Sequence, residues 1–142
     1  MVETSTGPVV VGVDGSEQSN HAAKMAAAEA SLRGVELHVV HCMDIQPAVL
    51  HLPGGTTDTR EIADRQHDSV HDTIANALGD HSYERVDREG YPPDELTDYV
   101  EDVGADLLVL GSRGRGRVAG AVLGSTSLRC LEQSKIPVLI VK

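Results

Sequence analysis

Apolar runs and amphipathic segments alternate along the chain, and this pattern predicts the order of its strands and helices. The run at 8–13, PVVVGV, is continuously apolar, as expected for a strand that is covered on both faces. Segment 83–90 alternates in polarity and predicts a strand near the edge of a sheet. Further strands are expected at 35–43, 105–110 and 137–141, and helices at 17–33, at 60–78, from Pro92 and from Ser125.

Residues at the ends of these segments support the predicted helices. Ser16 is suited to cap a helix that starts at the next residue, and Gly34 is suited to end it. Pro92 and Pro93 fit a first helical turn, because the N–H that proline lacks has no helical partner there. The stretch 44–59 is rich in Pro, Gly and Thr and is expected to form a loop.

The alternation of strands and helices predicts the α/β class, with one doubly wound parallel sheet of five strands and four helices. Residues 1–142 are expected to form one domain. Ligands of such sheets bind beyond the carboxyl ends of the strands. Asp14, the corner at residues 42–44 and Gly111 all follow predicted strands. We therefore expect them to converge on one crevice.

Composition limits the class of protein further. Phe and Trp are absent, so the core must be built from Val, Leu, Ile and Ala. The formal net charge of −10 disfavours nucleic acid as a partner, and it suits either an ordinary acidic cytosolic protein or life in concentrated salt. No apolar run is long enough to span a bilayer, and the first residues do not resemble a signal peptide, so a cytoplasmic location is expected. Cys42 and Cys130 are expected to be reduced.

The segment 111–127, GSRGRGRVAGAVLGSTS, carries the most specific chemical information. It joins a predicted buried strand to the start of a helix that is rich in hydroxyl groups. Glycines allow the backbone to approach a ligand, and the N–H groups at a helix start face negative charge. The segment therefore predicts a phosphate site. Arg113, Arg115 and Arg117 either contact the phosphate or form a solvated loop.

Other known patterns fit less well. The P-loop pattern G-x4-G-K-[S/T] is absent, and no lysine lies between residues 25 and 134. Gly114-x-Gly116-x2-Ala119 has dinucleotide-like spacing but lacks the βαβ context, so an NAD-dependent enzyme is not expected. His67 and His71 are four residues apart and could share a metal ion, but the aspartates around them favour a solvated polar face. No metal ligand and no catalytic residue is assigned.

The spacing Gly111-x2-Gly114-x9-Gly124-Ser125 resembles the nucleotide motif of the ATP-binding universal stress proteins. Further segments strengthen the resemblance, which covers essentially the whole chain. They are VGVDGS around Asp14, His41-Cys42-Met43-Asp44, Gly90-Tyr91-Pro92, and the closing strand from Pro137 to Val141. The resemblance implies a Rossmann-like fold of the adenine nucleotide alpha hydrolase type, with strand order 3-2-1-4-5.

The resemblance also implies roles for site residues. Asp14 would contact the ribose, with Gly12 and Val13 beside the base, although Asp14 could instead cap the first helix. The backbone of Cys42 would contact adenine, so its thiol is incidental. The ribose would be flanked by Leu110 and Gly111, and the phosphates would be held by Gly114, Gly124, Ser125, Thr126 and Ser127. Arg113, at a position where members of the family vary, would be a further contact.

The function implied by the resemblance is a nucleotide-dependent module of the stress response. Its ligand would be ATP or another adenine nucleotide, with Mg²⁺ held mainly by the phosphates. A homodimer through the strand from Pro137 to Val141 and an unidentified protein partner are implied as well. A slow ATPase or phosphotransferase is the alternative. Nucleic-acid binding through the arginine loop is disfavoured by the net charge and by the lack of aromatic stacking groups.

Overall fold

The chain forms eleven helices and strands in the computed structural model, which describes residues 6–46, 48–113 and 123–142. The first half contains β1 (Val9–Val13), α1 (Glu17–Arg33), β2 (Leu37–Met43), β3 (Val49–Leu52), β4 (Gly55–Asp58) and α2 (Thr59–Leu78). The second half contains β5 (Glu84–Glu89), α3 (Pro92–Asp102), β6 (Leu107–Gly111), α4 (Ser125–Gln133) and β7 (Val138–Val141).

The main sheet has the order β5-β2-β1-β6-β7, and every neighbouring pair in it is parallel. Counted along the chain without the β3–β4 hairpin, this order is 3-2-1-4-5. The predicted class, a doubly wound parallel α/β sheet with four helices, is confirmed.

The two faces of the sheet bury separate cores because successive side chains of a strand point to opposite sides. Val9, Val11 and Val13 pack with the alanines of α1 and with Val70 and Ile74 of α2. On the other face, Val10 and Val40 join a cluster that includes Leu96 and Val100 of α3 and Cys130 of α4. Because the chain has no Phe or Trp, the core between the sheet and helices α1 and α2 depends on alanine. A helix with an alanine face can lie close to the sheet.

Helix α1 has the bounds that the sequence predicts. Its N-cap is Ser16, whose side chain accepts a hydrogen bond of 3.2 Å from the backbone N–H of Ser19. Gly34 ends the helix in the left-handed conformation, with φ of 66°. α3 and α4 begin at Pro92 and Ser125, as predicted, and the remaining predicted elements shift by one or two residues at their ends. Among the described residues, no helix combines the length and the apolar character that crossing a membrane requires.

The prediction that 44–59 is a loop is wrong, because this stretch contains an antiparallel hairpin. β3 pairs with β4, and Leu52 lies opposite Gly55, which leaves Pro53 and Gly54 as a two-residue turn. Gly54 takes φ of 100°, a conformation that glycine adopts without strain. The strands have four exposed or half-exposed residues each, so they lack the pattern of a buried strand.

Candidate functional site

A cleft of about 230 Å³ lies where β1, β2 and β6 end. The first turns of α3 and α4 contribute to its walls. Of the twelve residues predicted for the site, Gly114 lies outside the described part of the chain. The other eleven line this cleft: Gly12, Val13, Asp14, Cys42, Leu110, Gly111, Arg113, Gly124, Ser125, Thr126 and Ser127.

Four further lining residues were missed by sequence reasoning, namely Ser19, Val40, Pro92 and Leu96. Val40 precedes Cys42 by two positions on β2 and therefore shares its face of the sheet, which the strand period alone could have indicated. Leu96 is a buried residue of α3, and its part in the cleft depends on how that helix packs on the sheet. Tertiary packing, and not local sequence, determines this wall.

The start of α4 provides the hydrogen-bond donors of the cleft. Its N-cap is Gly124, and no side chain among the described residues caps the helix. The backbone N–H of Gly124 donates to the carbonyl of Ser112 over 2.8 Å, which joins the start of α4 to the residue that follows β6. The N–H groups of the first turn have no partner within the helix. Together with the helix dipole, they make this end of the cleft suited to an anion.

Ser127 has a different role from its neighbours Ser125 and Thr126. It is buried, and its hydroxyl donates a hydrogen bond of 2.7 Å to the carbonyl of Gly111. The hydroxyl proton of Ser127 is therefore committed to joining α4 to the end of β6. Direct donation to a ligand is left to the hydroxyls of Ser125 and Thr126 and to backbone N–H groups.

Asp14 lines the cleft and also orders the turn between β1 and α1. Its Oδ1 accepts a hydrogen bond of 2.9 Å from the backbone N–H of Ser16. The backbone N–H of Asp14 in turn donates to the hydroxyl of Ser19 over 3.3 Å. Ser16, and not Asp14, is the N-cap of the helix. The carboxylate of Asp14 therefore stabilises this turn and also lines the cleft.

Two glycines are required at the cleft by close packing. A Cβ on Gly12 would lie 2.7 Å from Cδ2 of Leu110 and 3.0 Å from Cδ1 of Leu96. A Cβ on Gly111 would lie 3.0 Å from the backbone carbonyl carbon of Gln18 in α1. The first conflict involves side chains, whereas the second involves a helix backbone that has little freedom to move.

The thiol of Cys42 has low reactivity. Burial, with a smaller contribution from the charge of Glu95, raises its pKa to about 12. A thiol with such a pKa stays protonated and is a poor nucleophile at neutral pH. This agrees with the expectation that the backbone of Cys42 would matter more than its sulfur. Cys42 and Cys130 are both free, as expected.

The expectation that His67 and His71 form a solvated face is wrong, because both are buried, with 2% and 3% of their surface exposed. Their face of α2 packs on the sheet, where β2 and β5 supply polar partners. His67 Nδ1 lies 2.7 Å from Nδ1 of His41, and His71 Nε2 lies 2.8 Å from Oδ1 of Asp87. Burial is the main cause that lowers the pKa of His41 to about 4 and also lowers the pKa of His71.

His38 and His41 point to opposite faces of the sheet, as the sequence predicts. The ring of His38 contacts Tyr99 of α3, whereas the ring of His41 contacts His67 of α2. Arg113 lies at the cleft, while Arg115 and Arg117 fall outside the described residues.

Known proteins with similar sequences are universal stress proteins. The model of the Universal stress protein family matches residues 6–142. A universal stress protein of Mycobacterium tuberculosis is 35% identical over 139 residues, which cover 95% of this chain and 45% of the relative. The chain thus spans about half the length of this relative. A universal stress protein of Thermus aquaticus is 31% identical over 137 residues, which cover 94% of this chain and 97% of the relative.

Solved structures with the same fold include nucleotide complexes. A universal stress protein in complex with cAMP is 29% identical, with a TM-score of 0.67 and coverage of 97% of this chain and 98% of that chain. The universal stress protein from Archaeoglobus fulgidus in complex with dAMP is 27% identical, with a TM-score of 0.63 and coverage of 96% and 98%. From the match to the family model over nearly its whole length, and from these relatives, the chain belongs to the universal stress protein family.

Proposed function

We propose that this chain is a cytoplasmic module that binds ATP, or another adenine nucleotide, and passes its state of occupancy to a partner in the stress response. The observation that carries the proposal is that eleven residues chosen from the sequence line one cleft at the carboxyl ends of parallel strands. Ligands of doubly wound sheets bind in that position.

The two ends of the cleft differ in a way that suits a nucleotide. One end presents the uncapped start of α4 with the hydroxyls of Ser125 and Thr126, which favours phosphate. Away from the start of α4, Val40 and Leu96 supply apolar lining that a purine could contact. The carboxylate of Asp14 is suited to accept hydrogen bonds from sugar hydroxyls.

Two structures of the same fold support an adenine nucleotide as the ligand, because they contain cAMP and dAMP. We propose ATP because the spacing Gly111-x2-Gly114-x9-Gly124-Ser125 resembles the nucleotide motif of the ATP-binding universal stress proteins. Mg²⁺ would be held mainly by the phosphate oxygens and water, as is usual for this ion.

Mass spectrometry of nucleotide released from the purified, denatured protein tests the ligand. Calorimetric titrations with ATP, ADP and AMP, each with and without Mg²⁺, then rank the ligands. Gly124→Val is the variant of choice, because φ at Gly124 is −68°, which any residue adopts. The valine side chain would therefore obstruct the cleft without backbone strain. Absence of released nucleotide together with absence of binding would contradict the proposal.

A single-turnover experiment with ATP distinguishes a binding module from a slow ATPase. Retention of intact ATP over many hours would favour a module that senses occupancy. Hydrolysis that disappears in Gly124→Val would assign turnover to this cleft.

We also propose a homodimer through β7. This strand lies at the edge of the sheet, and all four of its residues, which are apolar, are only half-buried. An apolar edge strand offers its unpaired N–H and C=O groups to another strand. A second copy across a twofold axis would pair with them and would cover the apolar side chains.

A further inference from the structure

A histidine and two glutamates converge at the other end of the sheet, where β2 and β5 begin. His38 is paired directly with Glu84 across the parallel strands, and Glu36 precedes His38 by two positions, so all three can share one face. His38 Nε2 lies 3.1 Å from Oε2 of Glu36 and 3.5 Å from Oε2 of Glu84. Within residues 6–46, 48–113 and 123–142, no other three His, Cys or acidic side chains bring their ligand atoms within 4.8 Å of one another.

These distances match the spacing of ligands around a small metal ion. Zn²⁺ binds nitrogen and carboxylate oxygen at about 2.0–2.1 Å in tetrahedral geometry, which separates neighbouring ligand atoms by about 3.3 Å. The two measured separations, 3.1 and 3.5 Å, lie on either side of that value. Both glutamate side chains are largely exposed, so they can adjust their position at little cost.

The ring of His38 is held in place for such a role. It is only 7% exposed, and its Nδ1 lies 2.8 Å from the hydroxyl of Tyr99 in α3. A tyrosine oxygen can accept a hydrogen bond from Nδ1–H, which leaves the lone pair of Nε2 directed at the two carboxylates. Metal-binding histidines commonly use their second nitrogen in this way, and the contact fixes both tautomer and ring orientation.

Electrostatics also favours a cation at this position. The carboxylate oxygens of Glu36 and Glu84 lie within 4.8 Å of each other on a chain with a net charge of −10. Like charges at that separation repel, and the repulsion ends when a divalent ion binds between them.

We propose that Glu36, His38 and Glu84 form a binding site for a divalent transition metal, with Zn²⁺ as the best-matched ion. The site has three protein ligands and leaves the fourth position open to solvent. It lies at the amino ends of the strands, away from the nucleotide cleft, and does not depend on nucleotide binding. By joining the first residue of the edge strand β5 to β2, the ion would also raise the unfolding temperature.

Calorimetric titration of Zn²⁺ into nucleotide-free protein tests the site, with Co²⁺ absorption as a second probe of the ligand set. Glu36→Gln and Glu84→Gln change exposed side chains and should fold normally. Each should weaken Zn²⁺ binding at least about tenfold, as expected when a charged ligand is lost. Glu89→Gln is the matched control, because Glu89 is an exposed residue of the same strand on its opposite face. It should bind as the unaltered chain does.

Loss of one bound Zn²⁺ in His38→Asn, together with loss of the metal-dependent rise in unfolding temperature, would support the site. Three results would overturn it: no Zn²⁺ binding by the unaltered chain, unchanged affinity in Glu36→Gln and Glu84→Gln, or binding that disappears in His67→Asn and persists in His38→Asn. The last result would place the ion at the buried histidines of α2. Nucleotide titrations of the same variants show whether nucleotide binding persists when Zn²⁺ binding is lost, so that failure of one proposal can be told from failure of the other.

Discussion

The Nδ1 atoms of His41 and His67 lie 2.7 Å apart in the interior, between β2 and α2. At this distance one nitrogen carries a proton and the other accepts it, so the contact requires at least one neutral ring. A proton on both Nδ1 atoms would place two donors against each other, and this hydrogen bond would be lost.

We expect acid to destabilise the protein through His41. Burial, followed by the charges of His67 and His71, lowers its folded-state pKa from 6.5 to about 4, although Asp87 and Asp14 act in the opposite direction. The unfolded chain therefore binds a proton that the folded chain does not. The contribution of His41 to the free energy of unfolding is present in full above pH 6.5 and is lost as the pH falls toward about 4. One such group gives a slope of up to about 1.4 kcal/mol per pH unit.

Urea unfolding at a series of pH values measures this slope. His41→Gln should flatten it, because the titrating group is removed. His51→Gln, on the exposed hairpin, is the control and should leave the slope unchanged. Equal slopes in both variants would show that His41 is not responsible.

Ser127→Ala should lower the free energy of unfolding by about 1–3 kcal/mol. The change removes the hydroxyl that donates to the carbonyl of Gly111 and leaves that buried oxygen without this bond. Ser125→Ala is the comparison, because Ser125 lies at the cleft and should affect nucleotide affinity more than stability. Denaturant unfolding and calorimetry on both variants separate the two effects. If the two variants had similar free energies of unfolding, the structural role of Ser127 and the binding role of Ser125 would not be distinct.

Gly111→Ala should destabilise the fold by about 1–3 kcal/mol, in the range for overpacked sites. The added methyl group would meet the backbone of Gln18, which forces α1 away from the sheet. Gly34→Asn is the comparison, since asparagine tolerates the left-handed conformation and nothing lies within 4 Å of a Cβ there. Chemical unfolding should show a clearly larger loss for Gly111→Ala.

Cys42 should react slowly with thiol reagents, because its pKa of about 12 leaves almost no thiolate at neutral pH. Alkylation by iodoacetamide, followed by mass spectrometry, measures the rate against a free cysteine. Cys42→Ala should bind nucleotide about as tightly as the unaltered chain, since the proposed contact is made by the backbone. A large loss of affinity would assign a direct role to the side chain.

Ile140→Pro should convert the proposed dimer to a monomer. The carbonyl oxygen of Pro137 accepts a hydrogen bond from Leu108 of β6, and that of Val141 accepts one from Ser112, directly after β6. Alternate residues of a strand face the same neighbour. The N–H of Ile140 therefore points away from β6, toward the open edge. Proline removes that donor, whereas the control Ile140→Ala keeps it. Sedimentation velocity reports the oligomeric state, and a monomeric unaltered chain would refute the proposal.

The main sheet could be predicted from the sequence because β1 and β6 appear as continuous apolar runs, while β2 is mostly apolar and interrupted only by His38 and His41. The cleft could be predicted because its residues follow those strands and fit a spaced motif. The positions of His67 and His71 could not be predicted. Their burial depends on His41 and Asp87, which come from distant parts of the chain. The same holds for His38 and Glu84, which only the pairing of β2 with β5 brings together.

Gly12 and Gly111 limit how the ligand preference of this cleft can change. Neither position can accept a larger residue without moving Leu110 or the backbone of α1. An altered ligand preference is therefore expected at Asp14, Ser125 or Thr126, which line the cleft and are not part of the buried core. Because Val40, Leu96 and Leu110 belong to the buried core as well as to the cleft, variants that survive in nature or in a library should differ mainly at the lining residues outside that core.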